Sequence, residues 1–194
     1  MNILFLGPRK EPQQTLIGYL LNDGNSIARF EGKLNKEDFD ICENDFLISF
    51  GYRYKICKEI LNYFNEKAIN LHISYLPWNK GSDPNLWSIL ENTPKGVTLH
   101  QMDSGFDTGE ILFQKKIHFD ENDTLISSYE KLQTGLVELF KANWENIKFN
   151  RVTPKKQKGT GSYHKSSDKN SYQELLTNGW DTKIKNLVGK ALSD

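Results

Sequence analysis

Two periods of hydrophobicity alternate along the first half of the chain. Residues 2–7, NILFLG, form a short apolar run suited to a strand; residues 13–21 repeat apolar positions at helical spacing until Asn22, Asp23 and Gly24 end the pattern. Residues 26–30 read as a second strand. Residues 45–51, DFLISFG, read as a third, and the apolar centre at Leu47 and Ile48 predicts a buried parallel strand. Helical spacing returns over residues 55–64, with Ile56, Ile60, Leu61 and Phe64, and a further strand begins at Ile69. Strands alternating with helices predict an α/β fold, a mostly parallel twisted sheet flanked by helices and Rossmann-like in its winding.

The second half continues with a turn of helix at 84–90 and two strands at 96–102 and 110–117. Asp123 and Thr124 can cap a long helix whose Leu125, Tyr129, Leu132, Leu136, Leu139 and Phe140 make an amphipathic stripe, with core packing as its first explanation. From residue 150 the chain turns polar and rich in Gly, Ser and Lys. That predicts a catalytic domain over 1–149 and a short C-terminal extension over 150–194, an irregular loop with short helices at 172–176 and 184–192 packing on the core.

Size fits this plan, since 194 residues make one well-buried domain. Charge removes some function classes. Twenty-five Lys and Arg balance 25 Asp and Glu, so no basic surplus points to nucleic acid. No stretch approaches the roughly 20 apolar residues that span a bilayer, and MNILFLG is too short for a secretory signal. A soluble, cytoplasmic protein with no membrane partner is expected, and Cys42 and Cys57 are expected as reduced structural thiols.

Polar residues interrupt the pattern at one informative place. In INLHISYLPWNKG, residues 69–81, Asn70 and His72 lie two apart on a strand and therefore on one face. The proline that follows puts them near the strand's C-terminal end, where open α/β sheets bind ligands. A dinucleotide site would need a glycine-rich turn after the first strand, and GPRKEPQQ has one glycine and two prolines.

A second stretch, GVTLHQMDSGFDTGEILFQ over 96–114, carries Asp103 and Asp107 on a loop between strands. An amide, an imidazole and a carboxylate suit acyl transfer to an amine. Asn70 would donate to a developing oxyanion, His72 would take the amine proton, and Asp107 would orient or charge the imidazole and help relay the proton through water. By residue type alone, Asn70 and His72 also read as a satisfied hydrogen-bonding pair, and a loop Asp as turn chemistry. Asp103, beside Ser104 and Gly105, fits the turn reading better than Asp107. His100, His118 and His164 match no metal-ligand spacing.

Together the two stretches resemble the N10-formyltetrahydrofolate-dependent formyltransferases, with N-x-H, then S-x-L-P and a glycine, and later an aspartate before Thr-Gly. The resemblance runs from Asp45 to Gln114. It implies the Rossmann-like formyltransferase fold, catalytic roles for Asn70, His72 and Asp107, and N10-formyltetrahydrofolate as donor with no metal. It further implies folate contacts at Tyr54, Lys55 and Ile56, with Met102, Ser104, Gly105 and Phe106 on the other side.

Family branches differ in the amine they formylate. The methionyl-tRNA branch adds a C-terminal domain to grip tRNA, and the glycinamide ribonucleotide branch carries a glycine- and serine-rich loop where this chain has GPRKEPQQ. LPWNKGSDPNLWSI and QKGTGSYHKSSD are similar to stretches of small bacterial sugar N-formyltransferases. That resemblance implies a nucleotide-linked amino sugar as acceptor and a place in lipopolysaccharide O-antigen biosynthesis. Trp78, Trp87, Tyr163 and His164 are candidates for the acceptor pocket, and Arg53, Lys80 and Lys165 for phosphate contacts. A hydrolase using water as acceptor, and a folate- or nucleotide-binding domain without catalysis, stay open. So does a homodimer.

Overall fold

The computed structural model describes residues 1–35 and 43–191. Cys42 and Leu192 therefore lie outside the described residues, while Cys57 is a free, half-buried thiol. Six strands form the central sheet in the order β2-β1-β3-β4-β6-β7: β1 (Asn2–Leu6), β2 (Ser26–Phe30), β3 (Phe46–Phe50), β4 (Ala68–His72), β6 (Gly96–Gln101) and β7 (Ile111–Lys116). The first four pair in parallel. β6 runs antiparallel to β4, and β7 antiparallel to β6. All five residues of β3 are buried, as a strand covered on both faces requires.

Helices α1 (Gln13–Asn22) and α2 (Lys58–Phe64) link parallel strands. α2 starts three residues later than its periodicity predicts, because Ile56 packs into the core from an extended loop and Cys57 holds the N-cap at ψ 155°. α3 (Pro84–Leu90) keeps its predicted bounds, with Pro84 in the first turn. The long α4 (Leu125–Lys148) opens on a capping box in which Thr124 and Ser127 satisfy each other's backbone N–H. Leu125, Leu132, Leu136 and Phe140 are buried along it, whereas Tyr129 is 38 % exposed. Tyr129 thus leaves the predicted stripe.

The C-terminal segment departs from the sequence pattern in two ways. A two-residue strand β8 (Tyr163–His164) pairs in parallel with β5 (Lys80–Gly81), each too short to show a period. The helices expected at 172–176 and 184–192 are 3₁₀ turns at Asp168–Leu175 and Ile184–Asn186. Ile184 and Leu187 anchor against Leu86, Leu90 and Leu125, and the N–H groups of Gly189 and Ala191 go to the carbonyls of Ile89 and Leu90. Bonds spent on α3 are unavailable to lengthen a helix.

Candidate active site

β4 ends at His72, and the alternation of its side chains sets Asn70 beside it on one face. The antiparallel neighbour β6 places His100 directly opposite Asn70, next to a β-bulge between Leu99 and His100. The loop after β6 brings in Asp107. Its backbone is left-handed at φ 54°, a conformation Asp tolerates better than most residues.

Four side chains converge. Asn70 Nδ2 donates to Asp107 Oδ1 at 3.0 Å and lies 3.2 Å from His100 Nε2. Asp107 Oδ2 accepts the backbone N–H of Gly81 at 2.8 Å and stands 3.7 Å from His72 Nε2. His100 Nε2 is 3.4 Å from Asp107 Oδ1, and its Nδ1 meets the Gln101 carbonyl at 2.7 Å. A carbonyl only accepts, so Nδ1 of His100 carries hydrogen. The same logic applies to His72: its Nε2 lies 3.1 Å from the Asn79 carbonyl, so Nε2 holds hydrogen and Nδ1 is basic.

Burial opposes charge on both key groups, with different outcomes. His72 is only 8 % exposed, and desolvation lowers its pKa despite the opposing pull of Asp107. Asp107 does favour the charged ring, as expected, but burial outweighs the carboxylate and His100 adds to the lowering. For Asp107, burial alone would raise the carboxyl. The imidazoles of His72 and His100 and the Gly81 N–H reverse this and hold it well below the usual carboxylate range.

Supporting contacts fix the loops. Asp103 Oδ1 accepts from Gly105 N–H at 2.9 Å and Thr108 Oγ1 at 2.6 Å, which is turn chemistry. Gln157, from the C-terminal segment, donates its side-chain amide to the carbonyls of Asp107 and Gly109 at 2.8 and 2.9 Å. Gly81 needs to be glycine: φ is +87°, and a Cβ would sit 2.4 Å from the His164 carbonyl.

Asn70, His72, His100 and Asp107 lie in a cleft of about 780 Å³ that also takes in Tyr52, Leu61, Asn85 and Trp180. A separate, largely apolar cavity of about 600 Å³, beside Ile117 and Ile184, contains none of them. Of the positions assigned to folate, Tyr54, Lys55, Ile56, Met102, Gly105 and Phe106 line the cleft. Ser104 is exposed in the same turn and does not. Lys55 Nζ stands 5.3 Å from the Phe106 ring centre, so the loops that carry them touch.

Of the positions expected for the acceptor, Arg53, Tyr163 and Lys165 line the cleft, while Trp78, Lys80, Trp87 and His164 do not. Trp87 is buried at 3 % exposure and stacks on His164, centroids 3.8 Å apart, with His164 Nε2 3.0 Å from Glu91 Oε1. Those two rings pack the C-terminal segment onto α3. Lys80 belongs to the β5–β8 pair, and Trp78 is a half-exposed turn residue whose N–H donates to the Tyr75 carbonyl.

Sequence reasoning set His100 aside and missed Gln157, Tyr129 and Gln133. His100 had one usable signal, its alternation with Thr98 on a strand whose other face carries Val97 and Leu99. Gln133, one helical turn beyond Tyr129, also lines the cleft, and its buried amide oxygen has no hydrogen-bond partner among the described residues. Among the described residues, too, no group of three or more His, Cys, Asp or Glu could hold a metal, and no helix is long and apolar enough to cross a membrane.

Comparison with known proteins adds four findings. The formyl transferase family matches residues 26–141. The methionyl-tRNA formyltransferase of Thermodesulfovibrio yellowstonii is 34% identical over 87% of this chain and 52% of its own, so the chain spans about half the length of such relatives. The GDP-perosamine N-formyltransferase of Brucella melitensis is 36% identical over 45% of this chain and 34% of its own. Among solved structures, the formyltransferase PseJ from Anoxybacillus kamchatkensis, in complex with UDP-4,6-dideoxy-4-formamido-L-AltNAc and tetrahydrofolate, is 47% identical. The match covers 98% of this chain and 100% of that one at a TM-score of 0.94.

Proposed function

The chain belongs to the formyl transferase family, and from that premise we propose that it moves a formyl group from N10-formyltetrahydrofolate to the amine of a nucleotide-linked amino sugar. The observation that carries the acceptor class is the end-to-end likeness to the Anoxybacillus enzyme, whose complex holds a UDP-linked formamido sugar. The cleft supports the same reading. Tyr54, Ile56, Met102 and Phe106 offer walls for the pterin, and Arg53 and Lys165 offer charge for phosphates. Gln133 offers an unpaired acceptor for a ligand N–H or O–H.

In the reaction, the acceptor nitrogen attacks the formyl carbon, a C–N bond forms, the bond from carbon to N10 breaks, and the proton lost by the amine ends on N10. Asn70 keeps one N–H on Asp107. Its second, now near His100, is the donor available to the oxyanion. His72, neutral through burial, takes the amine proton at Nδ1, and the Asn79 carbonyl and Asp107 then face the charged ring. The imidazolium returns the proton to the leaving nitrogen. A cytoplasmic location and a role in building O-antigen sugars accord with such substrates.

The test incubates the protein with N10-formyltetrahydrofolate and the UDP-linked 4-amino sugar corresponding to that formamido product. Loss of the free amine with gain of one formyl group is expected. Formate release with the amine intact would mean a hydrolase, and formylation of methionyl-tRNA alone would mean the tRNA branch; either result ends the proposal.

A further inference from the structure

Behind His72 lies a polar cluster that ties the C-terminal segment to the reacting groups. Asn79 is fully buried, with a left-handed backbone at φ 55°. Asn tolerates that conformation. Its backbone N–H donates to Ser162 Oγ at 3.0 Å, its side-chain amide donates to Glu91 Oε2 at 3.2 Å, and its side-chain oxygen accepts from Thr93 Oγ1 at 2.8 Å. Ser162 Oγ in turn donates to Glu91 Oε2 at 3.0 Å, and the other Glu91 oxygen meets His164.

Three of these contacts are made by Asn79 itself and fix the position of its carbonyl. That carbonyl accepts from His72 Nε2. Packing alone does not call for a part-buried carboxylate there, since an apolar side chain would cover α3 without the cost of desolvating charge. A connected polar network instead specifies a single geometry.

We propose that Glu91, acting through Asn79 and Ser162, is a positioning residue that sets the orientation and tautomer of His72, so that Ser162–His164 complete the active site. Holding the proton on Nε2 keeps Nδ1 available as the base, which is how this inference rests on the formyl-transfer reading. The C-terminal segment is then part of the catalytic apparatus, even though none of Glu91, Asn79 and Ser162 lines the cleft.

Two variants test this, Glu91→Gln and Ser162→Ala, each compared with wild type for melting temperature, kinetics and the imidazole ¹⁵N signals of His72 in the free protein. The ¹⁵N spectrum of the wild type is expected to show hydrogen on Nε2. In the variants it should move toward a mixture of tautomers. kcat should fall on the order of 10- to 100-fold, as for a sub-ångström to one-ångström misplacement, with KM for the formyl donor changed by less than about two-fold. Should Glu91→Gln fail to fold, Ser162→Ala carries the test. Unmoved ¹⁵N signals in a folded variant overturn the proposal, whatever happens to melting temperature or kcat. The ¹⁵N reading needs no substrate, so inactivity of the wild type would count against the reaction and leave the positioning role decided by the spectra.

Discussion

His72 sits against a carbonyl and a carboxylate in a nearly closed site, and its chemistry follows from that balance. Burial lowers its pKa, Asp107 and the Asn79 carbonyl oppose the shift, and His100 reinforces it. The ring therefore stays neutral to lower pH than a free histidine, and protonation costs activity only on the acid side. A kcat/KM profile is expected to keep its plateau through the neutral range and to fall with an apparent pKa below about 6.5. A limb at or above that value would contradict the burial argument. Asn70→Ala removes the donor aimed at the oxyanion. It should cut kcat by about 10²- to 10³-fold while changing tetrahydrofolate affinity much less, a split that steady-state kinetics and calorimetry can read together.

At the scale of elements, short segments do the positioning and long ones supply the frame. The loop 103–109 must pass under β6, and a Cβ on Gly109 would lie 1.8 Å from the Gln101 carbonyl. Gly109→Ala should therefore displace Asp107 and abolish most turnover even in a folded protein, detectable by comparing activity with circular dichroism. α4 offers the opposite case. Thr124→Ala deletes one half of its capping box, does not touch the cleft lining, and should lower stability by about 0.5–2 kcal/mol with turnover unchanged, as denaturant melts and an activity assay would report.

Across the whole molecule, α4 joins the two ends of the fold. Trp144 is fully buried against Phe46 and Phe140 and donates Nε1 to Asp23 Oδ2 at 2.9 Å, at the far end of α1. Lys148 donates to the same oxygen at 2.8 Å. That hydrogen bond, with Trp144's, lowers the Asp23 pKa from 3.8 to about 2. A lowered carboxyl stabilises the fold above its unfolded pKa and loses that contribution as pH falls through the folded one. The melting-temperature gap between wild type and Asp23→Asn should thus be full above about pH 4 and close toward pH 2. A gap that persists at pH 2 would sink the assignment.

Much of this was legible before any coordinates. The alternation of periods carried the parallel half of the sheet, and the bounds of β2 and α3 match their patterns residue for residue. Asn70 and His72 stood out because polar residues are costly on a buried strand. Sequence period says nothing of which strands become neighbours, however, so the pairing of Asn70 with His100 and the reversal of β6 were decided only by the tertiary fold. The same holds for β5 and β8, for Gln157, and for Trp87 and His164, whose types suggested a ligand pocket but whose rings face each other. A sequence records which side chains exist and their local spacing. Burial, long-range pairing and the field at a titrating group depend on residues far apart in the chain, and those only the folded molecule brings together.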